Sequence, residues 1–324
     1  MKINCVAGQI DTADLGVTLM HEHVANLYTD MKDNYPEWID PEEIAQAFKE
    51  KMDVIKPYGF KTFVDATPVN LGRDIDLMRR AAEVAEINIL CSTGFYNMEA
   101  PWISARPGAL VPELMAKWMI RDAEKGIGTS GIKPAQIKCA TDKATGYTEA
   151  NRNMLIAASL ASRETGLPIY THTTPGDGKM GFYQQEIFDS MGIEPHRIVI
   201  GHSFDSCEPD YIEGLIKNGT YVGCDRIGLE IVTPITKIIA TLITLINRGY
   251  ADHIMLSHDA SVFTDFAFSF SPKLRENNPI IIGYDAIFTK VLPGLREAGV
   301  SEDTINLMMI ENPRRFYSGE PFKK

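Results

Sequence analysis

Cysteine is scarce in this chain and nowhere paired in sequence. Cys5, Cys91, Cys139, Cys207 and Cys224 are odd in number, widely scattered and free of any CxxC spacing. Neither a thiolate zinc site nor a disulfide framework is therefore expected. Cys91, Cys139 and Cys224 lie in apolar strand-like runs, where a free thiol behaves as a small hydrophobe; reduced cysteines predict a cytoplasmic protein. Long hydrophobic runs are missing as well. The most apolar stretch, Ile238 to Ile246, is broken by Thr241 and Thr244 and falls far short of a membrane span. The N-terminus, Met-Lys-Ile-Asn-Cys-Val, is too short and polar for a secretory signal, so no membrane partner is expected. Positive charge is thin too. The net charge is −11 and no Lys/Arg-rich stripe opposes it, which excludes nucleic acid as an expected partner. No Gly-x-Ser-x-Gly elbow is present and no cysteine sits in a charged motif, which argues against a covalent nucleophile.

What is present is the composition of a folded globular protein, 44% hydrophobic and 23% charged over 324 residues. That length suits one α/β barrel. Apolar runs of strand length alternate with segments of helical period: Thr18–Met20 leading into His21, Thr62–Asp65, Asn88–Thr93, Ala135–Ala140, Pro168–His172, Arg197–His202, Thr220–Asp225 and His253–Asp259. Most are continuously apolar, as parallel strands covered on both faces should be. Between them, Asp40-Pro41-Glu42-Glu43 supplies a helix start, followed by an apolar stripe of Ile44, Ala47, Phe48, Met52 and Ile55. Gly166, Gly219 and Gly249 stand where left-handed helix caps belong, and Pro293 is expected to kink or split the segment from Ala286 to Gly299. No linker or repeat appears, so residues 1–324 read as a single domain. Eight β-then-α units predict a (β/α)8 TIM barrel, whose functional groups gather at the C-terminal ends of the strands.

Six side chains with the chemistry of metal ligands fall at those ends. His21 and His23 form a His-x-His in which residues two apart point the same way and Glu22 points elsewhere. His172, His202 and Asp259 close the fifth, sixth and eighth runs. Two or more neutral imidazoles with a carboxylate suit zinc, with cobalt, manganese or iron as the other ions such donors accept. Lys138, inside Gln136-Ile137-Lys138-Cys139-Ala140, is an unusual ammonium. It either snorkels to water or reacts with CO₂ to give a carbamate, a carboxylate on a long arm able to bridge two ions. Taken singly, each histidine reads as well as a hydrogen-bonded core residue, and Asp259 as a helix cap. Their joint placement on strands 1, 4, 5, 6 and 8 favours a binuclear centre. His196 and His253 precede strands and so face the opposite end of the barrel; His258 alternates away from Asp259. Two ions about 3.5–4 Å apart can share a water and lower its pKa, with Asp259 as proton acceptor.

These residues resemble the phosphotriesterase-like lactonases of the amidohydrolase superfamily. The likeness runs from Asp14-Leu15-Gly16-Val17-Thr18-Leu19-Met20-His21-Glu22-His23 to Glu311-Asn312-Pro313-Arg314-Arg315-Phe316. It implies that His21, His23 and Asp259 hold one metal, His172 and His202 the other, and a carbamylated Lys138 bridges them. Gly94-Phe95-Tyr96 is similar to the family's Gly-x-Tyr, whose tyrosine leans over the metals. Asp225-Arg226-Ile227-Gly228-Leu229 is similar to its Asp-Arg-x-Gly-Leu. By resemblance Tyr96 contacts the lactone or the bridging hydroxide, and Arg226 fixes the loops around the pocket; packing of a loop aromatic and a surface ion pair are the plain alternatives. The stretch past Asp259 departs from the acyl-homoserine lactonase pattern. Its Phe263, Phe266, Phe268 and Phe270 predict an apolar pocket wall, a loop sealed onto the barrel, or a subunit contact. Lys273 and Arg275 raise the narrower option of a sugar-lactone phosphate.

The expected function is therefore a metal-dependent hydrolase opening a lactone, with weaker phosphotriesterase action through shared electrostatics. A phosphotriester or amide hydrolase on the same site is the first alternative, and an inactive barrel kept for binding the second. The expected partner is a small-molecule lactone or related ester; a homodimer is expected by analogy.

Overall fold

Lys2–Cys5 (β1) and Gly8–Asp11 (β2) pair as an antiparallel hairpin that the sequence reading did not anticipate. The chain then enters Val17–Asn26 (β3), Phe60–Asp65 (β4), Asn88–Gly94 (β5), Gln136–Ala140 (β6), Ile169–His172 (β7), Ile198–Ile200 (β8), Tyr221–Cys224 (β9), Ile254–Leu256 (β10) and Ser261–Thr264 (β11). These form one 9-stranded sheet in the order β10-β9-β8-β7-β6-β5-β4-β3-β11, parallel at every pairing. The structure is a computed structural model that describes residues 1–96, 111–141, 147–174, 180–265 and 283–322. Among them, no helix is long and apolar enough to cross a membrane.

All eight expected runs contain a strand, but the eighth, His253–Asp259, is strand only over Ile254–Leu256, and β11 follows it as a further strand that the sequence reading did not anticipate. Strand β10 bonds to β9 and β11 to β3, and the link between them is Ser257 to Ala260. Backbone bonds bridge the gap: Ser257 N–H to Cys224 O at 3.1 Å, Asp259 N–H to His21 O at 3.0 Å, His23 N–H to Ala260 O at 2.9 Å. The sheet thus curls until its ends are joined by one stretch of chain, the (β/α)8 layout expected. Asp259 lies in this break with φ 54, not at the end of a continuous strand. A left-handed residue cannot continue a strand, so the backbone turns there. The same pairing with β11 extends β3 to Asn26, leaving His21 and His23 inside a strand rather than at its end. Strand β8 stops at Ile200, and His202 follows it at φ 59.

The helices follow their signals. Asp40 accepts from the N–H groups of Glu42 and Glu43 at the start of Pro41–Ile55, whose Ile44, Phe48, Met52 and Ile55 are buried, with Ala45 in place of Ala47. Gly166 caps Glu149–Thr165 in the left-handed region. Pro293 sits just after a π-helical turn, Ile287–Val291, and Pro313 likewise follows Leu307–Glu311. Widening the turn relieves the clash of each ring with the preceding carbonyl.

Two apolar layers position the site. Outside the sheet, Phe48, Phe63, Leu155, Ile200 and Leu256 join strands to helices; Phe263 belongs here, buried in β11 rather than roofing a pocket. Inside the barrel, Met20, Val64, Leu90, Tyr170, Val199, Tyr221 and Met255 fill the lumen, and Ile3, Phe316 and Tyr317 close its lower end. Functional groups are thereby confined to the upper end. Phe48, fully buried and edge-on to Phe63 at 5.0 Å, should cost about 3–5 kcal/mol when cut to alanine. Urea unfolding of Phe48→Ala measures this, and a loss under about 1 kcal/mol would contradict the packing described.

Candidate metal centre

Alternation along each strand sets what faces the lumen. On β6, Gln136 and Lys138 point inward while Ile137 and Cys139 join the outer layer. On β7, Tyr170 and His172 do the same. The register of β3 slips between Leu19 and Glu22, and beyond the slip His21 and His23 face inward. Glu22 faces the other way. Its carboxylate accepts from Ser257 Oγ, from the N–H groups of His258 and Ala260, and from His258 Nδ1. His258 is thus held on the outer side, with Nε2 accepting from Ile287 N–H.

The six predicted ligands converge. His21 Nε2 lies 3.0 Å from Lys138 Nζ and 3.3 Å from Asp259 Oδ1. His23 Nε2 is 3.0 Å from Asp259 Oδ1. His202 Nε2 is 2.8 Å from His172 Nδ1 and 3.6 Å from Asp259 Oδ2. Ligand atoms of His21, His202 and Asp259 fall within 4.8 Å of one another. His21, His23, Lys138, His172 and Asp259, with Asn26, Tyr28, Asn70, Leu71, Tyr96 and Arg226, line a cavity of about 420 Å³, and His202 lies buried beside it.

The donor set fits metal ions on its own chemistry. Three histidines engage the nitrogen that faces away from the cluster: His21 Nδ1 with Asp225 at 3.1 Å, His23 Nδ1 with Thr67 at 2.8 Å, His202 Nδ1 with Asp225 at 2.9 Å. That fixes the ring and leaves the inner nitrogen as a lone pair, the usual arrangement around a ligating imidazole. Burial, and then the charge of Lys138, lowers His21 to about 3. Burial, and then His202, holds His172 well below the ordinary imidazole value. Both are neutral near pH 7. Asp259 is pushed upward by burial, but His21, His202 and Arg226 outweigh this and keep it well below the carboxylate range. Lys138 is the odd member. It is 1% exposed, and burial drops its ammonium to about 8.

Tyr96 and Arg226 join this cluster. Tyr96 Oη is 3.2 Å from His172 Nε2, and its backbone is clamped by Asn70, which accepts from Tyr96 N–H and donates to Tyr96 O. Gly94 precedes it at φ 119, where a Cβ would meet Lys138 O at 1.8 Å; only glycine allows β5 to lie this close to β6. Arg226 donates from Nε to Asp259 Oδ2 at 2.9 Å and from Nη1 to Asp205 Oδ2 at 2.8 Å. It is more than a surface ion pair, because its partner is a member of the cluster. Phe266, Phe268, Phe270, Lys273 and Arg275 lie outside the described residues.

Sequence reading missed Thr67, Asn70 and above all the role of Asp225. Asp225 ended the apolar run Tyr221–Cys224 just as Asp259 ended its own, and that signal was available. Its partners were not, since His21 reaches it from β3, Tyr170 from β7 and His202 from just past the end of β8. Burial pushes its acid upward, but the donors from His202 and His21 hold it well below the usual carboxylate range.

Comparison with known proteins agrees with this geometry. Residues 1–317 match the phosphotriesterase family. A phosphotriesterase homology protein of Mycobacterium tuberculosis is 38% identical over 98% of this chain and 97% of its own length. An aryldialkylphosphatase of Saccharolobus solfataricus is 32% identical, covering 95% and 97%. A phospho-furanose lactonase of Mycoplasmopsis agalactiae is 28% identical, covering 96% and 90%. The solved phosphotriesterase structure from Mycobacterium tuberculosis superposes with a TM-score of 0.90 at 37% identity, covering 98% of both chains. With its donor cluster at the upper end of a parallel barrel, the chain belongs to the phosphotriesterase family, whose members are binuclear metal-dependent hydrolases.

Proposed function

We propose that this protein is a binuclear-metal hydrolase that opens lactone rings, with weaker action on phosphotriesters. The reading rests on one observation: four histidines, Asp259 and Lys138 bring their donor atoms together in the lumen, with Tyr96 and Arg226 at its edge. His21, His23 and Asp259 would hold one ion and His172 and His202 the other. Lys138, as a carbamate, would serve both, because an ammonium beside two cations would repel them. Zinc is the ion this donor set suits first. Bound there, the two ions would supply Lewis acidity and an activated water.

The side chains supply the rest. Asp259 accepts a proton near the cluster, and the Arg226 guanidinium keeps its carboxylate ionised and fixes its plane. The Tyr96 hydroxyl, held over His172, is placed to orient a substrate oxygen. The aryldialkylphosphatase and lactonase names among the relatives support one site serving both ester types. A second reading, a phosphorylated sugar lactone, draws on the polar cavity wall of Asn26, Tyr28, Asn70 and Arg226, and on the name of the Mycoplasmopsis relative. A pH-drop assay of the zinc- and bicarbonate-loaded enzyme over lactones, sugar-lactone phosphates, phosphotriesters and N-acyl amides decides. Lactones are expected to show kcat/KM at least about tenfold above triesters and amides, a transition-state difference of about 1.4 kcal/mol. A triester or amide turned over faster than every lactone overturns the assignment.

A further inference from the structure

Asp225 carries a function beyond filling the lumen. It is 1% exposed, and its two oxygens have different clients. Oδ1 accepts from the backbone N–H of His202 at 2.8 Å and from His202 Nδ1 at 2.9 Å. Oδ2 accepts from the Tyr170 hydroxyl at 2.7 Å and from His21 Nδ1 at 3.1 Å. The rings of His21 and His202 lie side by side, centroids 4.9 Å apart, and the proposed function gives them to different ions. One carboxylate therefore touches a ligand histidine of each ion.

We propose that Asp225 is the positioning residue that sets the tautomers of His21 and His202 together, so that both present an unprotonated Nε2 to the metals. The inference rests on the metal reading above and extends it to a residue that touches neither ion. A carboxylate only accepts, so each Nδ1 facing it must carry the proton. The inner nitrogens are then free as ligands.

The asymmetry between the two oxygens makes the claim sharp. In Asp225→Asn, one position becomes an amide NH₂, which only donates. The backbone N–H of His202 is an obligate donor, so the amide oxygen must take the place of Oδ1. The NH₂ then occupies the place of Oδ2, where the Tyr170 hydroxyl can rotate to accept it. His21 Nδ1 has no such freedom. It must give up its proton to become an acceptor, the proton moves to Nε2, and His21 ceases to be a ligand. His202 keeps its tautomer. The substitution should thus damage one metal position and spare the other.

Histidine ¹⁵N chemical shifts and zinc titration against a chelator test this. In the metal-free wild type, His21 and His202 are expected to be protonated at Nδ1; a proton on Nε2 of either overturns the proposal, and this measurement needs no variant. The wild type should bind two equivalents; if it does not, it is the metal reading that fails. In Asp225→Asn, one equivalent should keep its wild-type affinity and the second weaken by about 10–100-fold, with the proton shifted to Nε2 of His21. Two unchanged equivalents, or equal weakening of both, overturn the proposal. Tyr170→Phe removes a donor to Oδ2 without forcing a tautomer and should keep both equivalents. Loss of one there would assign the effect to packing and overturn the proposal as well.

Discussion

Asp259→Asn should leave the barrel folded and lower kcat by about a thousandfold, the scale of losing a positioned proton acceptor. Three observations support so large an effect. Asp259 Oδ1 stands 3.0 Å from His23 Nε2 and 3.3 Å from His21 Nε2. Its Oδ2 receives Arg226 Nε at 2.9 Å. Its backbone turns at φ 54 to join β10 to β11, a conformation that aspartate and asparagine tolerate better than most residues. The substitution therefore keeps the turn and the size while removing the charge. Far-UV circular dichroism should match the wild type, and zinc content should fall at the His21–His23 side. Steady-state kinetics above a tenth of the wild-type kcat would remove Asp259 from the mechanism.

The second large effect belongs to Lys138. Lys138→Ala should lower zinc content and abolish turnover, and short-chain carboxylates such as acetate or propionate should restore part of both by occupying the vacated space. The wild-type residue should itself respond to pH. Burial lowers its pKa from 10.5 to about 8, so the neutral amine, the form that reacts with CO₂, grows as pH rises through that value. At a fixed concentration of dissolved CO₂, reconstitution of metal-free protein with zinc should accelerate from pH 7 upward and level off above pH about 8. The sign follows from the direction of the shift: a lowered ammonium pKa means the reactive form appears earlier on raising pH. Unchanged zinc loading in Lys138→Ala, or a reconstitution rate flat across this window, would exclude the carbamate.

Much of this was legible in the residues themselves. Strand runs, helix caps at Asp40 and Gly166, and the donor order His-x-His, Lys, His, His, Asp are local patterns, and local patterns survive into the fold because each is set by neighbours in sequence. Other features were not legible. The N-terminal hairpin is too short to show a period. The early end of β10 and the added strand β11 depend on which neighbour each meets, β9 or β3. Phe263 reads as one of a run of loop aromatics but is drawn into the core by that same pairing.

The sequence by itself determined the barrel class and which side chains could serve as ligands, because strand length, alternation and donor chemistry are written residue by residue. Only the tertiary structure decided how those donors are held. Asp225 gathers Tyr170 and His21 from two other strands and His202 from the turn after β8, Thr67 fixes His23, and Arg226 ties Asp259 to Asp205. Hydrogen bonds such as that from His21 N–H to Ser257 Oγ, 236 residues apart in the chain, exist only once the sheet has closed, and no periodicity along one strand can specify the partner on another.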